Sequence, residues 1–374
     1  MNHAFRFDKI NSQFCIKSLP VRWFFSDFAP KIPKIQSYRQ KTTAPMDFLC
    51  KIMYNCIMKV YIGYQSALEY WRIRRTLPDN SALRKRNTVL PNNPPTTEQV
   101  RSSGLTLPLH ILLNNRNNRW KSKTMKQHVF SGETPVGFFL GGENELEVSS
   151  PELCFLQMAG HLPLAGLIEL GYELCGTYSM PMEGDPNVPL RGFYQRQPMT
   201  NIKKLSNFAA RLPGVKGQKN ATYALRYILE NSASPMETKL SIILTLPYRL
   251  GGFAFSKPKM NMHIVPSKTE ERFSGKAYYT CDLFWPDHDL AVEYDSDLYH
   301  TGSTHIADDS KKRNTLTLMG ITVITVTTQQ FYNNSEFEKV VRVLAKRMGK
   351  RLEFKKPDFA AAHSKLRNQL LKQL

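Results

Sequence analysis

The sequence predicts an α/β fold, α+β overall, and three observations carry that expectation. Residues 232 to 354 alternate between a helical and a strand period in the order α-β-β-β-α-β-α. Residues 105 to 148 hold short apolar runs broken by Gly and Asn, the pattern of a small β-rich unit. The strand-helix-strand passage that closes the first stretch requires a crossover, so its two strands pair in parallel.

Residues 1–57 carry Pro, aromatic and basic side chains but no sustained period of 2 or 3.6, and read as an irregular N-terminal extension. A cleaner pattern begins at Met58, which is compatible with a start of the natural chain there. In "YQSALEYWRIRR", Ser66 and Glu69 have the spacing of a capping box ahead of Trp71 and Ile73. The Pro- and Asn-rich run from Leu77 to Val100 reads as a loop or linker. "LTLPLHILL", "KQHVF", "GFFLGG" and "NELEV" then supply the short strands. Ser149 and Ser150 ahead of Pro151 signal a helix start, and two helices follow, "PELCFLQMAG" and "LAGLIELGYELCG". Basic residues cluster from Lys203 to Arg226 at a helical period, which favours a solvated or phosphate-facing surface over a core.

Beyond residue 232, "SPMETKLSIILTL" reads as a helix with Ser234 as cap and Pro235 in its first turn. "MNMHIV", "AYYTCDLFW" and "LAVEYDSD" read as strands, the last two joined by the turn Pro286-Asp287-His288-Asp289. "IADDSKKRNTLTLMG" is a helix stopped by Gly320, "ITVITVT" a buried strand, and "SEFEKVVRVLAKRMGKRL" an amphipathic basic helix. The expected organisation is therefore an extension at 1–57, a first region at 58–215, a second domain at 216–356 and a C-terminal helix at 357–374.

Composition narrows the function classes. Lys and Arg number 51 against 31 Asp and Glu, a net charge of +20 over 374 residues, which points to a polyanionic partner. The six cysteines, at 15, 50, 56, 154, 175 and 281, include no CxxC pair, so free thiols in a reducing cytoplasm are expected. No uncharged apolar run is long enough for a membrane span, and Arg6, Asp8, Lys9 and Lys17 interrupt any secretory segment.

Chemistry concentrates in "LAVEYDSDLYH", residues 290 to 300. Glu293, Asp295 and Asp297 fall at every second position of a strand, on one face, where like charges repel. Asp282 lies in the preceding strand across a tight turn, so Asp282 and Glu293 can stand side by side at one end of the sheet. Paired carboxylates on neighbouring strands suit a hard divalent cation, and Glu237 can add a third from the flanking helix. His300, in the following Gly- and Thr-rich loop, is a candidate base or water-orienting group, with His305 weaker. Asp309 and Arg313 stand one helical turn apart, and Arg313 could reach a phosphate.

"SPME", "CDLFWP", "LAVEYDSDLYH" and "GITVITVT" together resemble the very-short-patch-repair-like (Vsr-like) endonuclease domain of the PD-(D/E)XK superfamily, over about a third of the chain. The resemblance implies a restriction-endonuclease-like α-β-β-β-α-β core. It also implies Glu237, Asp282 and Glu293 around Mg²⁺ or Mn²⁺, with Asp295 and His300 completing the site. The superfamily's usual lysine falls at Asp295, which leaves water activation to His300 or to Lys312 of the next helix. Upstream, "YQSALEYWR", "EVSSPELCFLQMAG" and "LIELGYELCG" faintly resemble the AbiEi type of abortive-infection antitoxin, which implies a winged-helix DNA-binding part. The expectation is a cytoplasmic, prokaryotic-type, metal-dependent DNA endonuclease of defence or repair, without a membrane partner and compatible with a homodimer. Lys203, Lys204, Arg211, Lys216, Arg226 and Arg313 are its expected phosphate contacts. The alternative is a non-catalytic DNA-binding regulator that keeps a nuclease-like fold.

Overall fold

A computed structural model describes residues 59–77, 88–114, 122–130, 133–268, 276–295, 303–354 and 358–371, all within the compact unit Met58–Leu374. The expectations for 1–57, Asp297 and His300 lie outside the described residues, as do those for the side chains of His305 and Asp309.

Strand β1 (Val60–Ile62) leads through Gly63 into helix α1 (Tyr64–Arg74). The helix therefore starts before Ser66 and Glu69, and the expected capping box does not form. Both side chains are instead buried: Ser66 Oγ accepts the His110 N–H, and Glu69 Oε1 accepts the N–H and hydroxyl of Thr106. They satisfy a neighbouring loop and strand that sequence spacing cannot see. The region expected as a linker contains strand β2 (Thr88–Val89) and helix α2 (Thr97–Ser102), whose real capping box is Thr96 with Gln99.

Strands β3 (Leu109–Leu113), β4 (Met125–Val129), β5 (Glu133–Thr134), β6 (Phe139–Gly141) and β7 (Leu146–Ser149) follow. Five of these first seven strands make one mixed sheet in the order β4-β3-β1-β7-β6, with β5 pairing β2. A winged helix carries a small antiparallel wing, which this five-stranded sheet is not. The parallel pairs β1–β7 and β3–β4 need crossovers that such a wing lacks.

Helices α3 (Pro151–Met158) and α4 (Leu164–Cys175) form as expected, with Ser150 Oγ capping α3 through the Leu153 N–H. Helix α4 is buried almost all round, which places it at the centre of the unit. Arg72 clamps its Glu173 at 2.7 and 2.9 Å, and the Arg196 guanidinium donates to the Glu173 carbonyl at 2.6 Å. After the short pair β8 (Tyr178–Ser179) and β9 (Tyr194–Gln195) come α5 (Ile202–Ala210) and α6 (Gln218–Ala224).

Helix α7 (Pro235–Thr245) packs on α4, with Tyr172 and Ser241 hydroxyls 2.9 Å apart and Tyr178 and Thr238 hydroxyls 3.0 Å apart. On its other side lies the sheet β10 (Lys259–Ile264), β11 (Tyr279–Trp285), β12 (Leu290–Asp295) and β13 (Thr322–Thr327), in that spatial order. β10–β11 and β11–β12 are antiparallel and β12–β13 is parallel, with α8 (Ser303–Leu318) as the crossover. Helices α9 (Thr328–Tyr332), α10 (Asn334–Arg347) and α11 (Phe359–Leu370) close the unit. One apolar core runs from Val60 to Leu370, through both sheets' inner faces, α4 and α7. A smaller core lies between the second sheet and α8, around Cys281, Phe284, Ala291 and Leu316. No described helix is long and apolar enough to cross a membrane.

Candidate active site

The site forms where the regular pleat of β10 and β11 breaks. Tyr279 and Cys281 face the α8 side, and strict alternation would send Leu283 there too. Leu283 and Trp285 instead join the main core, while Phe284 faces α8. The alternation slips by one at Asp282 and, in β10, at Asn261, whose φ is +48°. A slip of this kind re-aims one side chain, and here that side chain is a carboxylate.

The β11–β12 register runs through Trp285↔Leu290, Phe284↔Ala291 and Leu283↔Val292. Its next step sets Asp282 across from Glu293. There the carboxylate takes over from the backbone ladder: Asp282 Oδ2 accepts the Tyr294 N–H at 2.8 Å. Glu293 Oε2 is held by Lys312 Nζ of α8 at 2.6 Å, while its Oε1 is buried and the Cys281 thiol is the other side chain bonding this carboxylate. Glu237, 7 % exposed, stands in the first turn of α7. Its Oε2 accepts the Ala233 N–H at 2.9 Å and the Asn261 side-chain amide at 2.6 Å.

The electrostatics join the three acids. Burial and then the Asp282 charge push the Glu237 carboxyl up to about 8. Burial and then Asp282 push Glu293 up to about 7, against the pull of Lys312. Burial also raises Asp282, opposed by the Tyr294 N–H and by Lys312. Burial would lower Lys312, but Glu293 and then Asp282 outweigh it, so the ammonium is raised and keeps its proton. One cation thus serves a group of acids that burial and mutual repulsion leave short of positive charge.

Beside these residues a pocket of about 100 Å³ opens on the α8 side, walled by Glu293, Asp295, Lys312, Arg313, Leu316 and Thr325 among others. Asp295 follows Glu293 on the same strand face and pairs in register with Thr327. The expected convergence of Glu237, Asp282 and Glu293 on one ion is not formed. Among the described residues no group of three or more His, Cys, Asp or Glu is gathered to hold a metal. The reason is local: Glu237 caps its own helix, and Glu293 is turned to Lys312. The donor set fits a smaller demand, because Mg²⁺ commonly takes one or two carboxylates and leaves its other positions to water and phosphate. Asp282 and the buried Oε1 of Glu293 are the oxygens that could serve it.

Of the basic residues expected to face phosphates, Arg313 lines the pocket. Lys203 and Lys204 are exposed on α5, and Arg211, Lys216 and Arg226 are exposed around the ends of α5 and α6. Asn261 escaped the sequence reading. Its available signal was an Asn in the middle of an apolar strand, a residue poor in strands and tolerant of a left-handed backbone.

No protein-family model, curated protein or solved structure matches this chain.

Proposed function

We propose that the chain is a metal-dependent endonuclease that hydrolyses phosphodiester bonds in DNA. The observation that carries the reading is that Asp282 and Glu293 lie on adjacent strands one step beyond the register pair Leu283↔Val292, with Lys312 on Glu293, and that Glu293, Asp295, Lys312 and Arg313 wall one pocket. A Mg²⁺ or Mn²⁺ ion held by Asp282 and Glu293 would supply Lewis-acid polarisation of a phosphate oxygen and a bound water of lowered pKa. Lys312, protonated and anchored by Glu293, would orient a water or balance charge on the phosphate. It offers from a helix the cation that Asp295 cannot offer from the strand. Arg313 at the pocket wall suits a flanking phosphate. Glu237 shapes the field at Asp282 from behind, held by Ala233 and Asn261. The net charge of +20 favours a polyanionic substrate.

The test is nicking of supercoiled plasmid with Mg²⁺ or Mn²⁺. Wild type cuts, while Asp282→Ala and Lys312→Met lose about a hundredfold or more in rate and keep their affinity for DNA. Variants that nick as fast as wild type would remove this site from the chemistry. A wild-type protein that binds DNA and cuts with neither metal supports the non-catalytic regulator instead.

A further inference from the structure

A second group of side chains lies away from the carboxylates, at the end of α6. The Arg226 guanidinium carbon is 5.7 Å from the Tyr223 ring centroid, and that of Arg249 is 5.9 Å from it. The rings of Tyr223 and Tyr227 meet edge to face at 5.5 Å, with hydroxyl oxygens 3.3 Å apart. Lys257 Nζ donates to the Arg226 carbonyl at 2.6 Å. Arg226, Arg249 and Lys257 are exposed, and none of them is in an ion pair among the described residues. Tyr227 rests against the main core, whereas Tyr223 is only half-buried and belongs to neither the core nor its margin.

The three cations carry like charge and no carboxylate pairs with them among the described residues, while Arg249 also hydrogen-bonds the Tyr227 side chain. The two guanidiniums stand near the outer limit of about 6 Å for attraction to a ring, so Tyr223 compensates them weakly. A strand carrying phosphates and bases meets both deficits: anions for the cations, flat faces for the tyrosine.

The place of this group in the fold ties it to the carboxylates. Residues 226–231 and 257–261 run side by side, linked at one end by Lys257 to the Arg226 carbonyl and at the other by Asn261 to the Asn231 carbonyl. Asn261 also holds Glu237. Lys257 and Asn261 are four residues apart, so their Cα atoms lie at most about 14 Å from each other.

We propose that Tyr223, Arg226, Tyr227, Arg249 and Lys257 form a platform for a single-stranded segment of the substrate DNA, with a base stacked on Tyr223 and phosphates on the three cations. The platform rests on the endonuclease reading for its substrate, but its test does not use cleavage. Fluorescence anisotropy in EDTA compares labelled oligothymidylate with a blunt duplex, for wild type, Tyr223→Ala and Tyr223→Phe, with thermal melting as the check of folding. Tyr223→Ala weakens oligothymidylate binding at least about fivefold, as loss of one stacked base does, and leaves duplex binding unchanged. Tyr223→Phe keeps both affinities, because the ring and not the hydroxyl stacks. Arg226→Gln with Arg249→Gln reduces the salt dependence of oligothymidylate binding. A wild type that does not bind the single strand, a Tyr223→Ala that binds it as wild type does, or an equal loss on duplex and single strand overturns the platform. Tyrosine-dependent strand binding by a protein that never cuts keeps the platform and removes the endonuclease reading.

Discussion

Glu237 shows how one side chain can hold a helix and a site in tension. Its carboxylate closes the first turn of α7 through the Ala233 N–H and is held by Asn261, yet it is buried and faces the Asp282 charge. Its folded pKa, about 8, lies above its unfolded value, so the native state holds a proton that the unfolded state has lost. Below about pH 4 both states are protonated and Glu237 adds no pH dependence. As pH rises towards 8 the unfolded state ionises first and stability falls. The metal-free protein should therefore be less stable at pH 8 than at pH 5, by on the order of 3 kcal/mol from this group. Glu237→Gln, which keeps the cap and cannot ionise, should flatten that slope in urea titrations run in chelator. An equal slope in the variant would show that Glu237 is ionised in the native state. Glu237 was legible in the sequence because Ser-Pro-x-Glu marks a helix start. Its partner Asn261 was not, because their contact spans two elements 24 residues apart.

The elements were legible where one period ran long enough. The helix capped by Ser234, the three antiparallel-linked strands and the parallel fourth follow their sequence patterns. The misreadings arose where a local motif had a distant partner. Ser66 and Glu69 have capping-box spacing, but their oxygens answer His110 and Thr106. The turn after α7 also depends on a distant partner. Gly251 has φ +88°, and a Cβ there would collide with the backbone oxygen of Ala362 in α11, while His363 bonds the Gly251 carbonyl at 2.6 Å. Gly251→Ala should lower stability by roughly 2 kcal/mol, from left-handed strain and from pushing α11 away. Denaturant midpoints check this, and a loss below about 0.5 kcal/mol would mean that α11 yields freely.

At the scale of the molecule, the second sheet does not own its core. Leu240, Ile243 and Leu244 of α7 belong to the same apolar cluster as Ile168 and Leu174 of α4 and Leu366 and Leu370 of α11. A fragment of residues 232–354 would expose that face of α7 to water. It should lack a cooperative melting transition and aggregate, while residues 58–374 melt in one transition by calorimetry. A sharp, reversible transition in the fragment would contradict a shared core. Metal titration of the candidate site therefore belongs on residues 58–374, where α7 is held.

The sequence by itself determined the order of elements from residue 232 to 354 apart from the short helix α9, the basic charge and the identity of the acids, because strand and helix periods and charge are local properties. The tertiary structure decided what those acids do. The pleat slip at Asn261 and Asp282, the Lys312 bond to Glu293 and the capping of Glu237 all join residues distant in the chain. It also decided that the upstream region is a five-stranded mixed sheet, since strand order depends on which faces find each other and not on the strands' own patterns.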